Sequence, residues 1–203
     1  MAAEHTALPS PELIAKAAAL NVFDDSGKEV SFGSIIKDQK TIVVFIRHFF
    51  CGVRQQQYVM QLASVRQDAL DAANARLVII GCGDWQPIKN YCETTDFKGP
   101  MYADPSRGLY NTFGLVQNLD MTPAGEEKRS YLGRSYIGNV LKSIWQGPLK
   151  NPLLVGKQGP VSQNGGDFIF GPGETCTYAW RMRHTEDHVE VEDLMKEAGV
   201  AYP

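Results

Sequence analysis

The apolar positions in the first 115 residues follow two different spacings. TIVVFIRH (41–48) is a short run rich in β-branched residues, and RLVIIG (76–81) is a second. Runs of this length and type predict strands buried on both faces. Between them the spacing turns helical: over residues 52–73, Tyr58, Leu62, Val65, Ala69 and Ala72 stand four, three, four and three apart. That stripe predicts one helix lying on the strands. A second helix is predicted from about Gln86 to Thr95. A short strand follows at PMYADP (100–105), then a short helix at SRGLYNTFGL (106–115) closed by Gly114. Strand and helix in alternation with short connections imply right-handed crossovers and a parallel core.

The last third changes character. DFIFGPGETCTYAWRM (167–182) reads as two strands around a Gly-Pro-Gly turn, an antiparallel hairpin, and VEVEDLMKEAG (189–199) as a closing helix. A βαβ half joined to a ββα half is the layout of the thioredoxin-like fold, so the expected class is α/β with a central mixed sheet flanked by helices. Ser10-Pro11-Glu12 starts a short amphipathic helix in an N-terminal extension, residues 1–20. Residues 116–166 form an inserted, partly helical segment in which Ile137, Val140, Leu141, Ile144 and Trp145 share one helical face. With neither repeat nor low-complexity linker, residues 1–203 are expected to form a single domain.

Composition narrows the partners. Hydrophobic residues make up 43% and charged residues 21%, enough for a sizeable core, and the net charge of −3 offers no basic field for nucleic acid. Every apolar run is far short of the roughly 20 residues that span a bilayer. MAAEHTALPSPELIAKAAAL lacks the basic start of a secretory signal. The four cysteines are irregularly spaced, without a paired zinc pattern, so the thiols are expected to be reduced and the location cytoplasmic. HTEDH (184–188) places two histidines four apart without an evident third ligand, and is read as a helix entry, with no metal expected. No G-x-G-x-x-G follows a strand, so no bound cofactor is expected and any NADPH serves an external reductase.

The candidate chemistry centres on Cys51. If 41–48 is a strand and 54–72 a helix, Cys51 lies at the carboxyl edge of a parallel sheet and at a helix N-terminus. Open α/β sheets place their chemistry at that edge, and helix-end N–H groups favour a thiolate. Arg47 and Arg54 flank it, with His48 beside it as a base or a loop-orienting group. A thiol of pKa about 8.5 is only about 3% ionised at pH 7, whereas a pKa of about 6 gives roughly 90%, a differential stabilisation of about 3.4 kcal/mol. On spacing alone, a small buried hydrophobe is an equally good reading of Cys51. Cys82, after the second strand and on the same edge, is the candidate second thiol. Cys92 and Cys176 read as structural.

Several stretches together resemble the peroxiredoxin-like 2 branch of the AhpC/TSA antioxidant proteins: VVFIRHFFC (43–51), LVIIG (77–81), YADPSRGLYNTFGL (102–115), SIWQGPL (143–149), QNGGDFIFGPG (163–173) and RHTEDHVEV (183–191). The resemblance spans about residues 20–200 and implies a thioredoxin-like fold with redox chemistry at Cys51. It also implies that Arg181, or Arg183, matches the arginine that peroxiredoxins bring in from a later strand. Two departures matter. The Cys-x-x-Cys common in this branch has Arg54 at its second cysteine position, so a dithiol of adjacent cysteines is absent. In the peroxiredoxin P-x-x-x-T/S-x-x-C pattern, Val44 stands at the proline and His48 at the hydroxyl.

The function expected from this reading is thiol-dependent reduction of hydrogen peroxide or organic hydroperoxides through the single cysteine Cys51, with thioredoxin or glutathione as external reductant. The first rival is reduction of bulky lipid endoperoxides of the prostaglandin type, with Phe49, Phe50 and Trp145 lining an apolar pocket. The second is a catalytically weak redox-sensing or binding module, which the exchange of cysteine for Arg54 favours. The expected partners are the peroxide and a thioredoxin-type reductant. The sequence permits a homodimer without requiring one.

Overall fold

The computed structural model describes residues 4–49, 53–126, 129–132, 154 and 156–202, with the backbone alone at Val53 and Arg54. Helix α1 (Pro11–Ala18) is capped by the Ser10 hydroxyl, which accepts from the Leu13 amide, with proline at its first position. A hairpin follows, β1 (Asn21–Phe23) and β2 (Glu29–Ser31), then α2 (Phe32–Ile36). The βαβ half is β3 (Lys40–Phe45), α3 (Val53–Ala63), α4 (Gln67–Ala72), β4 (Ala75–Gly81), α5 (Ile88–Thr95), β5 (Met101–Ala103) and α6 (Gly108–Thr112). The chain closes with a short 3₁₀ turn (Ser130–Leu132), the hairpin β6 (Gly166–Phe170) and β7 (Cys176–Arg181), and α7 (Val191–Ala198).

The seven strands form one sheet in the order β2-β1-β5-β4-β3-β6-β7. β3 pairs in parallel with β4, and β4 with β5, while β6 runs antiparallel beside β3, with Val44 opposite Asp167 and Phe45 opposite Gly166. Strand parity divides the core between two faces. Ile42, Val44, Ile46, Leu77 and Ile79 pack with Tyr58, Val59 and Leu62 of α3 and Leu194 and Met195 of α7. Val43, Phe45, Val78, Ile80, Phe168 and Phe170 pack on the other side with Ile14, Phe32, Ile35, Tyr110 and Phe113 from α1, α2 and α6. The result is the expected mixed sheet between two helical layers.

Two local expectations are corrected. The single helix expected over 52–73 is two helices, broken at residues 64–66. There the Ser64 hydroxyl and amide both bond the Gln61 carbonyl, the Val65 amide bonds that of Leu62, and Arg66 is extended (ψ 138°) as it enters α4. A serine that bonds its own preceding turn competes with helix continuation. The β1–β2 hairpin and α2 carried no assignment from the pattern. The helix expected at 136–145 lies outside the described residues. The two ends of the 116–166 segment meet: the Asn164 amide bonds the Val116 carbonyl and the Asn118 amide that of Ser162.

Candidate active site

The carboxyl edge of β3 and β4 is closed over by the stretch 156–163. The Ile46 amide extends the parallel ladder by bonding the Ile80 carbonyl at 2.9 Å, and the chain then leaves the sheet through Arg47, His48 and Phe49. The Phe49 ring lies across the end of β4: a Cβ on Gly81 would sit 2.4 Å from its ring, so this crossing requires glycine there. The Phe49 amide donates to the Gln158 carbonyl and the Asp84 amide to that of Lys157. Gly83 and Gly159 allow this strap to touch the edge, since a Cβ on Gly83 would fall 2.4 Å from Gln158 and one on Gly159 2.6 Å from the Cys82 sulfur.

Arg47 fastens the strap from beneath, with Nη2 donating to the Val161 carbonyl at 2.7 Å and Nε to that of Gln163 at 3.3 Å. Its own carbonyl accepts from the Cys82 thiol at 2.6 Å, and Cys82 is fully buried. His48 is buried too. Loss of hydration, and then the charge of Arg47, lowers its pKa to about 4, so its imidazole is neutral at pH 7. Its Nδ1 has no hydrogen-bond partner among the described residues.

Arg47, His48 and Cys82 are thus gathered at the carboxyl edge of β3 and β4. Cys51 lies outside the described residues; Arg54 stands on the first turn of α3, with only its backbone described. Arg181 lies opposite Gly166 of β6, which itself pairs with Phe45 at the end of β3, and its side chain is on the α1–α6 face. It shares parity with Ala179, and its guanidinium lies 5.4 Å over the Phe168 ring on the α1–α6 face. There Nε donates to the Phe113 carbonyl at 2.6 Å and Nη1 to that of Ala7 at 2.7 Å. Arg183 is also committed, with Nε 2.7 Å from the Asp187 carboxylate. The expected effect of Arg181→Ala is release of residues 4–7 to fast amide exchange, with a stability loss of about 1 kcal/mol as the part-buried Phe113 carbonyl loses its donor.

The other thiols are poor nucleophiles. Burial pushes both Cys92 and Cys176 up to about 11, Cys92 lining a surface hollow of about 520 Å³ beside α5 and Cys176 bonded to the Tyr178 carbonyl. Among the described residues no group of three or more His, Cys, Asp or Glu is placed to hold a metal ion. No described helix is long and apolar enough to cross a membrane.

The sequence reading missed a buried polar network beneath α3. Asp167, on the α3 face of β6, accepts from Tyr58 Oη at 3.1 Å, the Val189 amide at 3.1 Å and His188 Nδ1 at 3.0 Å. His188 stacks on the Tyr58 ring at 4.3 Å, and its Nε2 meets Gln55 Nε2 at 3.0 Å. Burial first, then the Asp167 charge, raises the Tyr58 pKa and keeps its phenol protonated. The rest of HTEDH is structural, and it is no helix entry, because α7 starts after Glu190. Glu186 accepts from Thr122, and Asp187 binds Arg183 and Arg129. Burial alone would raise the Asp187 carboxyl, but the Arg183 hydrogen bonds and charge overcome it and hold its pKa below the usual value. One signal was available: an aspartate inside the apolar strand run DFIF.

Comparison with known proteins fits this framework. The family described as "AhpC/TSA antioxidant enzyme" matches residues 61–184. The mouse protein Peroxiredoxin-like 2C is 31% identical over 93% of this chain and 81% of its own length. The chain belongs to the peroxiredoxin-like 2 branch of the AhpC/TSA family. Prostamide/prostaglandin F synthase of Xenopus tropicalis is 26% identical over 86% of the chain and 82% of its own length. Among solved structures, a cysteine-to-serine mutant of peroxiredoxin 6 from Arenicola marina superposes with a TM-score of 0.60 at 11% identity. That match covers 89% of this chain and 69% of the other, and it supports the thioredoxin-like fold.

The strap makes its own prediction. Gly159→Val places a side chain against the Cys82 sulfur at a residue of φ +93°. It is expected to lift the strap, lower stability by about 2–3 kcal/mol, and speed labelling of Cys82 by a maleimide, read by mass spectrometry.

Proposed function

We propose that this chain is a thiol-dependent peroxidase in which Cys51 reduces hydrogen peroxide or an organic hydroperoxide. The thiolate attacks one peroxide oxygen, the O–O bond breaks, and the departing oxygen takes up a proton, leaving Cys51–SOH and water or an alcohol. A second thiol then displaces water from the sulfenic acid to give a disulfide. A thioredoxin-type dithiol, or glutathione, returns both sulfurs to thiols with two electrons. The observation that carries this reading is the convergence of Arg47, His48 and Cys82 at the exit of β3, in a chain of this family. Neutral His48, whose buried Nδ1 has no partner among the described residues, suits hydrogen bonding to the peroxide where peroxiredoxins carry a hydroxyl. The charge of Arg47 and the first-turn position of Arg54 favour the thiolate and the departing oxyanion. Cys82 is the candidate second thiol, and because the strap covers it, disulfide formation requires the strap to move. A reducing compartment such as the cytoplasm suits this cycle, and self-association into a homodimer is compatible with it.

The test is peroxide consumption coupled to NADPH, thioredoxin reductase and thioredoxin, with intact mass after one equivalent of peroxide. Cys51→Ser is expected to abolish both turnover and the mass gain of a sulfenic acid or disulfide. Cys82→Ser should keep the sulfenic acid and lose an internal disulfide. Turnover that persists in Cys51→Ser, or a wild type that gains no mass, overturns the reading. The relation to prostamide/prostaglandin F synthase favours a second substrate class, a lipid endoperoxide whose O–O bond is cleaved to two hydroxyls by the same thiol chemistry. A strong preference for such a substrate over hydrogen peroxide would identify it. Phe49 does not line a pocket for it, being fully buried against Gly81 and Tyr91.

A further inference from the structure

Cys51 stands midway between Arg47 and Gln55, four residues from each, and a described hydrogen bond ties those two residues together. The Arg47 amide donates to Gln55 Oε1 at 3.4 Å. This bond ties together the two ends of the sequence segment that contains Cys51, and its strength depends on how Gln55 is held. An amide N–H only donates, so the Gln55 oxygen faces Arg47 and its NH₂ faces His188. His188 Nε2, 3.0 Å away, must then accept, which places the imidazole proton on Nδ1, where Asp167 takes it. Only one arrangement of protons satisfies all three contacts.

We infer that Asp167, His188 and Gln55 are positioning residues for Cys51: Asp167 fixes the His188 tautomer, His188 fixes the Gln55 amide, and Gln55 holds the end of β3 against the first turn of α3. The inference rests on Cys51 being the working thiol. The parts come from separate elements: β6, the segment before α7, and α3. All three side chains are buried. A second proton on His188 gives Nε2–H, which requires the Gln55 oxygen. The Arg47 amide is then left facing NH₂ and the loop tie is lost. The titratable groups facing His188 are Asp167 from β6, Tyr58 from α3 and Tyr131 from the 3₁₀ turn, whose hydroxyl accepts from the His188 amide; both phenols stay neutral. Asp167 is therefore the one charge described against the ring.

Gln55→Met keeps the side-chain volume and removes both hydrogen bonds. Its expected effect is a midpoint of the rate–pH profile for Cys51 alkylation by iodoacetamide moved up by about 0.7 unit, with the rate about fivefold slower at pH values well below that midpoint. The Arg47 amide should also lose protection from exchange. In wild type, imidazole ¹⁵N shifts of His188 should report Nδ1–H with a bare Nε2 at pH 7. In Gln55→Glu, whose second carboxylate oxygen faces Nε2, they should report both nitrogens protonated. A wild-type His188 protonated on Nε2 overturns the assignment, even if the variants do not fold. Identical alkylation profiles in wild type and folded Gln55→Met overturn the coupling to Cys51. Alkylation needs no peroxide, so a protein that fails to turn over peroxide still tests the relay.

Discussion

Asp167→Ala is expected to lower stability by about 3–5 kcal/mol, a large share of the roughly 5–15 kcal/mol that separates folded from unfolded domains. The aspartate is fully buried and accepts from the Tyr58 hydroxyl, the Val189 amide and His188 Nδ1. Truncation leaves all three donors in an apolar layer without a partner, and an orphaned buried donor costs about 1–3 kcal/mol. Urea denaturation at pH 7 measures the loss. Asp167→Asn separates charge from shape. Its carbonyl oxygen, in the Oδ2 place, still serves the Val189 amide, which can only donate, while its NH₂ takes the Oδ1 place beside Tyr58, so part of the stability should return. Its NH₂, however, faces His188 Nδ1, which must then become the acceptor, driving the proton to Nε2 against the Gln55 amide. Recovery of stability together with a reversed His188 tautomer is the expected pair of results. Equal stability of Asp167→Ala and wild type would show that the network contributes nothing to folding.

Much of the framework was legible because it is written locally. β3 and β4 sit in β-branched runs, and α6 and α7 end at Gly114 and Gly199, both at positive φ. Arg47, His48 and Cys82 could be brought together because parallel strands put their exits on one edge. The β1–β2 hairpin escaped because NVF and EVS are three residues each, too short to show a period. Its turn was nonetheless encoded, since Asp24 accepts from the Ser26 amide and hydroxyl and the Lys28 amide ahead of Gly27 at φ +83°. The face taken by Arg181 was left open for a different reason. Alternation shows that Arg181 and Ala179 share a face but not which face receives α3, a choice made by tertiary packing. The Asp167–His188 pair, 21 residues apart in the chain, depends wholly on the crossing of two elements.

Acidification from pH 6.5 to pH 4 is expected to remove about 3 kcal/mol of stability through His48 alone. Its folded pKa, about 4, lies below its ordinary value of 6.5 because burial, and then the Arg47 charge, disfavour the imidazolium. Between those values the unfolded chain binds a proton that the native protein does not. The stabilisation is therefore complete above pH 6.5 and is lost as pH falls towards 4, at about 1.4 kcal/mol per unit. His184, whose pKa is also lowered, chiefly by burial, adds in the same direction, so the diagnostic quantity is the difference between wild type and His48→Asn. The variant should lose markedly less stability over this window; parallel curves would show that His48 titrates normally. The sign also bears on chemistry. A histidine that stays neutral at pH 7 supplies no positive charge, so in the proposed cycle stabilising a Cys51 thiolate is assigned to Arg47, Arg54 and the N-terminus of α3. What His48 can offer is one hydrogen bond from Nδ1, which has no partner among the described residues. His48→Asn should accordingly slow peroxide consumption while leaving the alkylation midpoint of Cys51 nearly unmoved, whereas a cationic histidine would shift that midpoint upward on removal.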